Sequence, residues 1–417
     1  MVKPVGTLSF VIVGHVDHGK STLIGRLLYD TDSLPPDRFE EMRKSSEDLG
    51  RETEFAYLLD HLEEERQQGV TIDTTQAFFK TNKREYVIID APGHVEFVKN
   101  MITGASQAEA AVLIVDVKEG AKEQTKRHAY ILSLLGLKQV IVVINKMDLV
   151  DFCEKAFEDV KTDLKTFLGS INIRPELYVP ICALEGDNIA KTSGRMPWYN
   201  GRTFLESLDT LRNREPSDGK PLIFPIQDVY KIGDKRIAVG RVEAGMIRQG
   251  QKVKVLPDRK NMVVKSIEKF LEDTYRAYAG ESIGIIAEDS LFLNRGDVVC
   301  DPEDELVLTD SFGANIFWMS KEEFRKNEKI IIRCSTQETT CKVEKIKRRI
   351  NSSTLEIIEE NANILKDLEV GQVIIKTKKP IAIKAFADVQ ELGRFVLIQD
   401  ENTCAGGIIT TLNYEKQ

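Results

Sequence analysis

The sequence predicts an α/β domain followed by two all-β domains. Three observations carry this expectation. The first half of the chain alternates β-branched apolar runs with helix-length segments. A glycine-rich loop ending in Lys-Ser separates the first such run from the first helical segment. Beyond NREPSDGKP (213–221) the texture changes to short alternating runs punctuated by glycine. A chain of 417 residues exceeds one ordinary core, and roughly two to four domains is the expectation from size.

In order along the chain, the strand candidates of the first domain are LSFVIV (8–13), QAFFKT (76–81), EYVIID (85–90), AAVLIVDV (110–117), QVIVVINK (139–146) and LYVPICA (177–183). Their apolar runs are nearly continuous, as in strands covered on both faces. Helix-length segments lie between most of them, for example TLIGRLLYD and EQTKRHAYILSLLG. This alternation predicts a parallel sheet with right-handed crossovers. The charged stretch from Asp32 to Gly69 reads as an insertion. Past the first break, RIAVGRVEAG, QKVKVLP, ESIGIIAED and GDVVC predict a barrel or sandwich. A second break falls near VCDPEDE (299–305), and ANIFWM, KIIIRCS, CKVEKI, GQVIIK, GRFVLIQD and AGGIIT follow as further strands. NILKDLEVGQ reads as a loop or short helix. The expected domain limits are 1–213, 216–302 and 305–417.

Composition narrows the function classes. A net charge of −8 argues against a nucleic-acid coat protein, because binding phosphates takes positive surface; a local basic patch stays open. No stretch approaches the ~18 consecutive apolar residues of a membrane span. The N-terminal run MVKPVGTLSFVIVG is short, lacks a small-residue cleavage site and leads straight into a motif, so no signal peptide and a cytoplasmic location are expected. The six cysteines are scattered without a C-x-x-C pair, which points to reduced thiols rather than zinc or disulfides.

The chemistry is concentrated in three places. GHVDHGKST fits G-x-x-x-x-G-K-[ST] between a strand and a helix, the context the motif needs. Gly14, His15, Val16, Asp17, His18, Gly19, Lys20, Ser21 and Thr22 are the expected phosphate cradle. Small glycines let backbone N–H groups curl round an anion, and the helix adds its positive end. Lys20 is expected to reach the β- and γ-phosphates, and the Ser21 hydroxyl to ligate Mg²⁺. A chance match to this motif in such a chain is on the order of one in a hundred.

NKMD (145–148) follows a strand and is expected to read the base. A carboxylate at Asp148 can accept from N1–H and the 2-amino group of guanine; adenine offers neither, and the unmet carboxylate discriminates against ATP. The Lys146 stem packs over the base and Asn145 ties the loop. Alone, N-K-x-D is commonly a polar loop; after a phosphate loop it points to GTP and GDP. Cys182, Ala183 and Leu184 follow another strand, where the Ala183 N–H can face the guanine carbonyl oxygen.

DAPGHVEF (90–97) closes the set. Asp90 is expected to hold the Mg²⁺ shell through water and Gly93 to offer its N–H to the γ-phosphate. His94 is expected to stand near the attacking water, where an imidazole orients water and offsets charge near neutral pH. In an arbitrary sequence such a histidine is a surface turn residue; the company of Lys20 and Asp148 favours the catalytic role. Thr71, in QQGVTID, is expected to bind Mg²⁺ and the γ-phosphate, ordering the segment before it while GTP is present. Val16 and Val70 are candidates for an apolar screen that keeps His94 off the water, or for ordinary packing.

Together these motifs resemble the translational GTPase superfamily along essentially the whole chain. The resemblance implies an α/β P-loop GTPase domain followed by two β-barrel domains. GHVDHGKST and DAPGHVEFVKNM are similar to elongation factor 1-alpha and elongation factor Tu. GRLLYDTDSLPPDRFEEM, KRHAYILSLLG, ANIFWM, RINSSTLE and GRFVLIQDENTCAGGI look more like the GTP-hydrolysing subunit of two-subunit sulfate adenylyltransferase. That subunit often carries R-V-D-D-G-K in its phosphate loop and an E-Q-Y-T-R-type run after Pro-Gly-His; GHVDHGK and VEFVKNM depart from it. On this resemblance the expected function is GTP hydrolysis coupled to adenosine 5′-phosphosulfate formation by a small catalytic partner subunit of sulfate adenylyltransferase. The alternative is a translation GTPase that delivers aminoacyl-tRNA. A tRNA site needs basic surface on the β domains, and KVEKIKRR (342–349) is the one compact basic run there; on a strand, such a run is more often a solvated face.

Overall fold

The computed structural model describes residues 7–34, 75–92, 94, 98–105, 108–213, 219–233, 235–269, 272–288, 292–303 and 306–412. Val70, Thr71, Gly93 and nearly all of the 32–69 insertion fall outside these residues. The chain divides into two compact units, Met1–Arg214 and Glu215–Gln417.

In the first unit, β1 (Leu8–Gly14), β2 (Thr75–Lys80), β3 (Glu85–Asp90), β4 (Ala110–Asp116), β5 (Val140–Asn145) and β6 (Leu177–Pro180) form one sheet in the order β2-β3-β1-β4-β5-β6. The pairings from β3 through β6 are parallel. β2 departs from the parallel expectation and runs antiparallel to β3. Only Thr81–Arg84 joins them, and a tight link permits a hairpin but not the dozen or more residues of a crossover. Side chains of β1 are buried on both faces: Phe10 and Ile12 on one, Val11 and Val13 on the other. That two-sided burial explains the continuous apolar runs. One core joins Phe10, Ile12, Val112, Ile114 and Val143 to Leu23 and Leu27 of α1 (Lys20–Asp30) and to Phe204 and Leu208. Further helices are α2 (Val98–Ala105), α3 (Glu123–Leu134), α4 (Glu154–Ser170) and α5 (Phe204–Leu208). α5 starts in a capping box, with the Thr203 side chain accepting from the Glu206 N–H and Glu206 accepting from the Thr203 N–H.

The register explains where the site forms. Ile12 lies opposite Asp90, Gly14 opposite Ile114, and Asp116 opposite Asn145. The C-terminal ends of β1, β3, β4 and β5 therefore share one edge, where ligands of open α/β sheets bind.

The second unit holds two closed antiparallel sheets. In the first, β7 (Ile223–Ile232), β8 (Lys235–Arg241), β9 (Lys252–Leu256), β10 (Lys260–Lys269), β11 (Ser282–Ala287) and β12 (Val298–Cys300) run in the order β9-β12-β7-β8-β11-β10, and β9–β10 pairing closes the barrel. The second comprises β13 (Val307–Trp318), β14 (Lys329–Cys334), β15 (Gln337–Asn351), β16 (Ile357–Ala362), β17 (Glu369–Ile383), β18 (Arg394–Gln399) and β19 (Asn402–Thr411). Its order is β14-β18-β19-β13-β17-β15-β16, closed between β14 and β15. The pattern left barrel and sandwich open; closure removes the exposed edges an open sheet presents. NILKDLEVGQ is neither loop nor helix throughout: it holds the two-residue strand Ile364–Leu365 and the start of β17. A small core of Ile223, Leu256, Val298 and Cys300 with Ala382, Val389 and Leu392 links the barrels within this unit.

None of the six cysteines is in a disulfide. Burial pushes the Cys334 and Cys341 thiols up to about 12. Among the described residues no helix is long and apolar enough to cross a membrane.

Candidate nucleotide site

The phosphate loop closes tightly because it lacks side chains where the backbone is crowded. Gly19 has φ +89°, and a Cβ there would sit 2.4 Å from Asn145 Nδ2; a Cβ on Gly14 would meet the Ile114 carbonyl oxygen at 2.5 Å. Asp17 is also left-handed, at φ 62°. Lys20 opens α1, buried, and its Nζ donates to the carbonyl oxygens of Gly14 (3.2 Å) and His15 (2.9 Å). Burial pulls its ammonium below the usual lysine value, with Asp90 and Asp17 opposing. The result is a curled main chain with one cation at its mouth, a cradle for an anion. His15 and His18 stack edge to face, 5.3 Å apart. His18 is buried, with Nδ1 3.4 Å from the Ile114 oxygen and Nε2 3.2 Å from Glu119 Oε2. Both neighbours are acceptors, and burial holds its pKa down. A neutral ring has one N–H, and the shorter contact to the charged acceptor assigns it to Nε2.

The base-reading loop packs against this cradle. Asn145 ends β5 and spans two elements: Nδ2 donates to the His18 carbonyl at 2.9 Å and Oδ1 accepts from the Ala183 N–H at 3.0 Å. The Ala183 amide, expected to face guanine, thus has an internal partner. Lys146 is left-handed at φ 63°. Its Nζ lies 2.9 Å from Asp116 Oδ2. The Cys182 thiol donates to Asp148 Oδ1 at 3.1 Å. Burial first, and that bond second, push the thiol up to about 12, so it stays a donor. Leu184 is 44 % exposed and so lies outside the core.

Asp90 is 2 % exposed at the end of β3, in register with β1 just before the phosphate loop. Asp90 and the Ser21 hydroxyl, on the first turn of α1, are both hard oxygen donors, the type Mg²⁺ takes. The glycine-lined cradle and this donor set fit a Mg²⁺-nucleotide. Val16 and Thr22 lie in the loop and the first turn of α1. His94 is half-buried four residues past the end of β3. Gly93, Thr71 and Val70 lie outside the described residues.

Two residues that the sequence reading did not single out join the site. Asp116 ends β4 and receives Lys146; Glu119 receives His18. The sequence held a signal for Asp116: an acid terminates AAVLIVD as Asp90 terminates EYVIID.

A lysine-capped phosphate loop, NKMD on the same sheet edge and two closed barrels in one chain are the layout of a translational GTPase. The comparisons agree. Residues 6–217 match the family described as Elongation factor Tu GTP binding domain, 235–300 match Elongation factor Tu domain 2, and 311–410 match GTP-eEF1A C-terminal domain-like. Elongation factor 1-alpha of Methanopyrus kandleri is 40 % identical, covering all of both chains. That of Archaeoglobus fulgidus is 38 % identical, again over all of both. That of Thermoplasma acidophilum is 39 % identical over 96 % of each. A solved structure of sup35 complexed with GMPPNP aligns over 98 % of this chain and 95 % of that one at 24 % identity, with a TM-score of 0.46. The chain belongs to the elongation factor Tu/elongation factor 1-alpha family of translational GTPases.

This overturns the sulfate adenylyltransferase expectation, and with it the small catalytic partner subunit and the adenylyl-transfer chemistry. These full-length relatives carry the name Elongation factor 1-alpha. Three of the segments that pointed elsewhere are core or turn. ANIFWM buries Phe317 and Trp318 in β13; KRHAYILSLLG buries His128, Ala129, Ile131 and Leu132 in α3; RINSSTLE is a turn in which Asn351 Oδ1 accepts from the N–H groups of Ser353 and Thr354. Packing and turn chemistry select such residues, so they do not report on a partner.

Proposed function

We propose that this chain is a GTP-hydrolysing translation factor that delivers aminoacyl-tRNA. The observation that carries the reading is likeness to elongation factor 1-alpha along the entire chain, barrels included, at 37–40 % identity. Within it, Lys20 and the loop amides hold the phosphates. Asp148 accepts from the guanine edge while Cys182 holds its other face, and the Lys146 stem covers the base. Ser21 and Asp90, with Thr71, would hold Mg²⁺, which would supply charge neutralisation on the phosphates. His94 orients the attacking water. The domain limits stay as read from the sequence: 1–213, 216–302 and 305–417.

The basic run KVEKIKRR is a poor RNA surface. On β15 its Arg348 faces Glu360 at 3.4 Å, and Arg349 lies 2.9 Å from both Glu359 and Glu369. A better candidate is the β7–β8 hairpin. Tyr230 is 51 % exposed and Ile232 63 %; Lys231, Lys235 and Arg236 are exposed beside them; and Arg236 lies over the ring of Phe292. Cations interleaved with exposed rings suit phosphates and unpaired bases.

The test is equilibrium binding of aminoacylated tRNA to the GTP-loaded chain over a salt series. The expected result is binding that weakens linearly in log–log form and drops when GDP replaces GTP. Equal, weak binding in both nucleotide states would contradict delivery.

A further inference from the structure

We infer that Asp116 is a positioning residue that joins the base-reading and phosphate-holding halves of the nucleotide site. The inference rests on the guanine-nucleotide reading above and goes beyond it, since none of the sequence motifs includes this residue.

The two oxygens of Asp116 face different ways. Oδ2 lies 2.9 Å from Lys146 Nζ, the side chain that covers the base. Oδ1 accepts from the N–H of Lys118 at 2.7 Å and of Glu119 at 3.3 Å. Those bonds fix the turn after β4, which the Gly120 N–H closes onto the Asp116 carbonyl at 2.9 Å. Fixing that turn aims Glu119, whose Oε2 lies 3.2 Å from His18 Nε2. His18 is in the phosphate loop, 1 % exposed. A chain of contacts thus runs Lys146, Asp116, Glu119, His18.

An acid that only capped a turn would use one oxygen on local amides, a common and purely structural role. Here the second oxygen reaches a cation from the loop that follows the neighbouring strand, and the carboxylate side chain is 5 % exposed. Buried charge-assisted bonds of this kind have one good arrangement and tolerate displacement poorly. Losing Lys146 frees the carboxylate to shift, which loosens the turn it holds through the Lys118 and Glu119 N–H groups and, with it, the Glu119 side chain's contact with His18; Glu119→Gln then has less left to lose. Asn145 also bridges the two halves through the His18 carbonyl, so it is the loss of communication when Asp116 is replaced that isolates the role of Asp116.

The experiment is a double-mutant cycle on the full chain, K146M against E119Q, reading GDP affinity. Each single substitution is expected to weaken GDP. The double variant is expected to bind about fivefold tighter than the product of the two single losses. In a D116N background the two losses are expected to multiply independently. A purely structural Asp116 would lower the melting temperature while leaving the two losses independent throughout. Independent losses with Asp116 intact would overturn the proposal, as would non-additivity that persists in D116N. Should D116N fail to fold, D116S takes its place as the background, with the same expected and contrary results. Failure of the unsubstituted chain to bind GDP would bring down the nucleotide reading itself, whereas GDP binding with independent losses would bring down only the link.

Discussion

At the residue scale, the site depends on a few side chains whose partners give them one function. His94 sits just past the strand that ends in Asp90, and in the proposed function it takes the attacking water rather than the nucleotide. His94→Ala is therefore expected to cut GTP turnover by about a hundredfold or more, the usual size of a general-base contribution, while GTP affinity changes by less than about threefold. Single-turnover hydrolysis and equilibrium binding separate the two, and parallel loss of both would contradict the assignment. Cys182 makes a second prediction. Its thiol is locked as a donor onto Asp148 Oδ1. Cys182→Ser keeps a donor and should preserve the preference for GTP over ATP. Cys182→Ala removes it and should lower that preference about tenfold, as loss of a hydrogen bond to a charged group does. An unchanged preference in Cys182→Ala would show that Asp148 holds its place without the thiol.

At the element scale, parallel strands bring the functional loops to one edge, and α3 packs beside them with an unusual cargo. His128 is fully buried there, and neither ring nitrogen has a hydrogen-bond partner. Burial, then Lys20 and Arg127, pull its pKa from 6.5 to about 3. The sign follows: the unfolded chain takes this proton first as pH falls, so stability is full above about 6.5 and declines below it. His15 and His18 are shifted the same way, mainly by burial. His128 contributes a slope of up to about 1.4 kcal/mol per pH unit between about 6.5 and about 3. Denaturant melts between neutral and acid pH should show this limb, and His128→Leu should flatten it without loss at neutral pH. An acid limb of undiminished slope in that variant would place the cause elsewhere. Much of this level was legible in the sequence. The continuous runs marked β1, β4 and β5 because both faces are covered, and Gly14–Ser21 marked its own loop because only glycine fits against Ile114 and Asn145. The antiparallel β2 was not legible from alternation alone, since strand direction is set by the length of the Thr81–Arg84 link. Asp116 and Glu119 were missed because each acts across strands.

At the scale of the whole molecule, the two compact units hold a nucleotide fold and a pair of barrels. Texture in the sequence separated these regions, because glycine-punctuated alternation and two-sided apolar runs arise from different burial. The partner was misread for a physical reason. ANIFWM and RINSSTLE, two of the segments that suggested it, sit in barrel packing and in a turn, where residue choice answers to packing and turn geometry rather than to a partner. The charge run on β15 misleads in the same way, because its arginines face glutamates on β16 and β17.

The account depends most on guanine recognition at a lysine-capped phosphate loop. Its most direct test is competition of GTP, GDP and ATP for the purified chain with Mg²⁺ present. The predicted result is GTP and GDP binding at least about a thousandfold tighter than ATP, the scale at which a buried unpaired polar group discriminates. ATP binding as tight as GTP would contradict it.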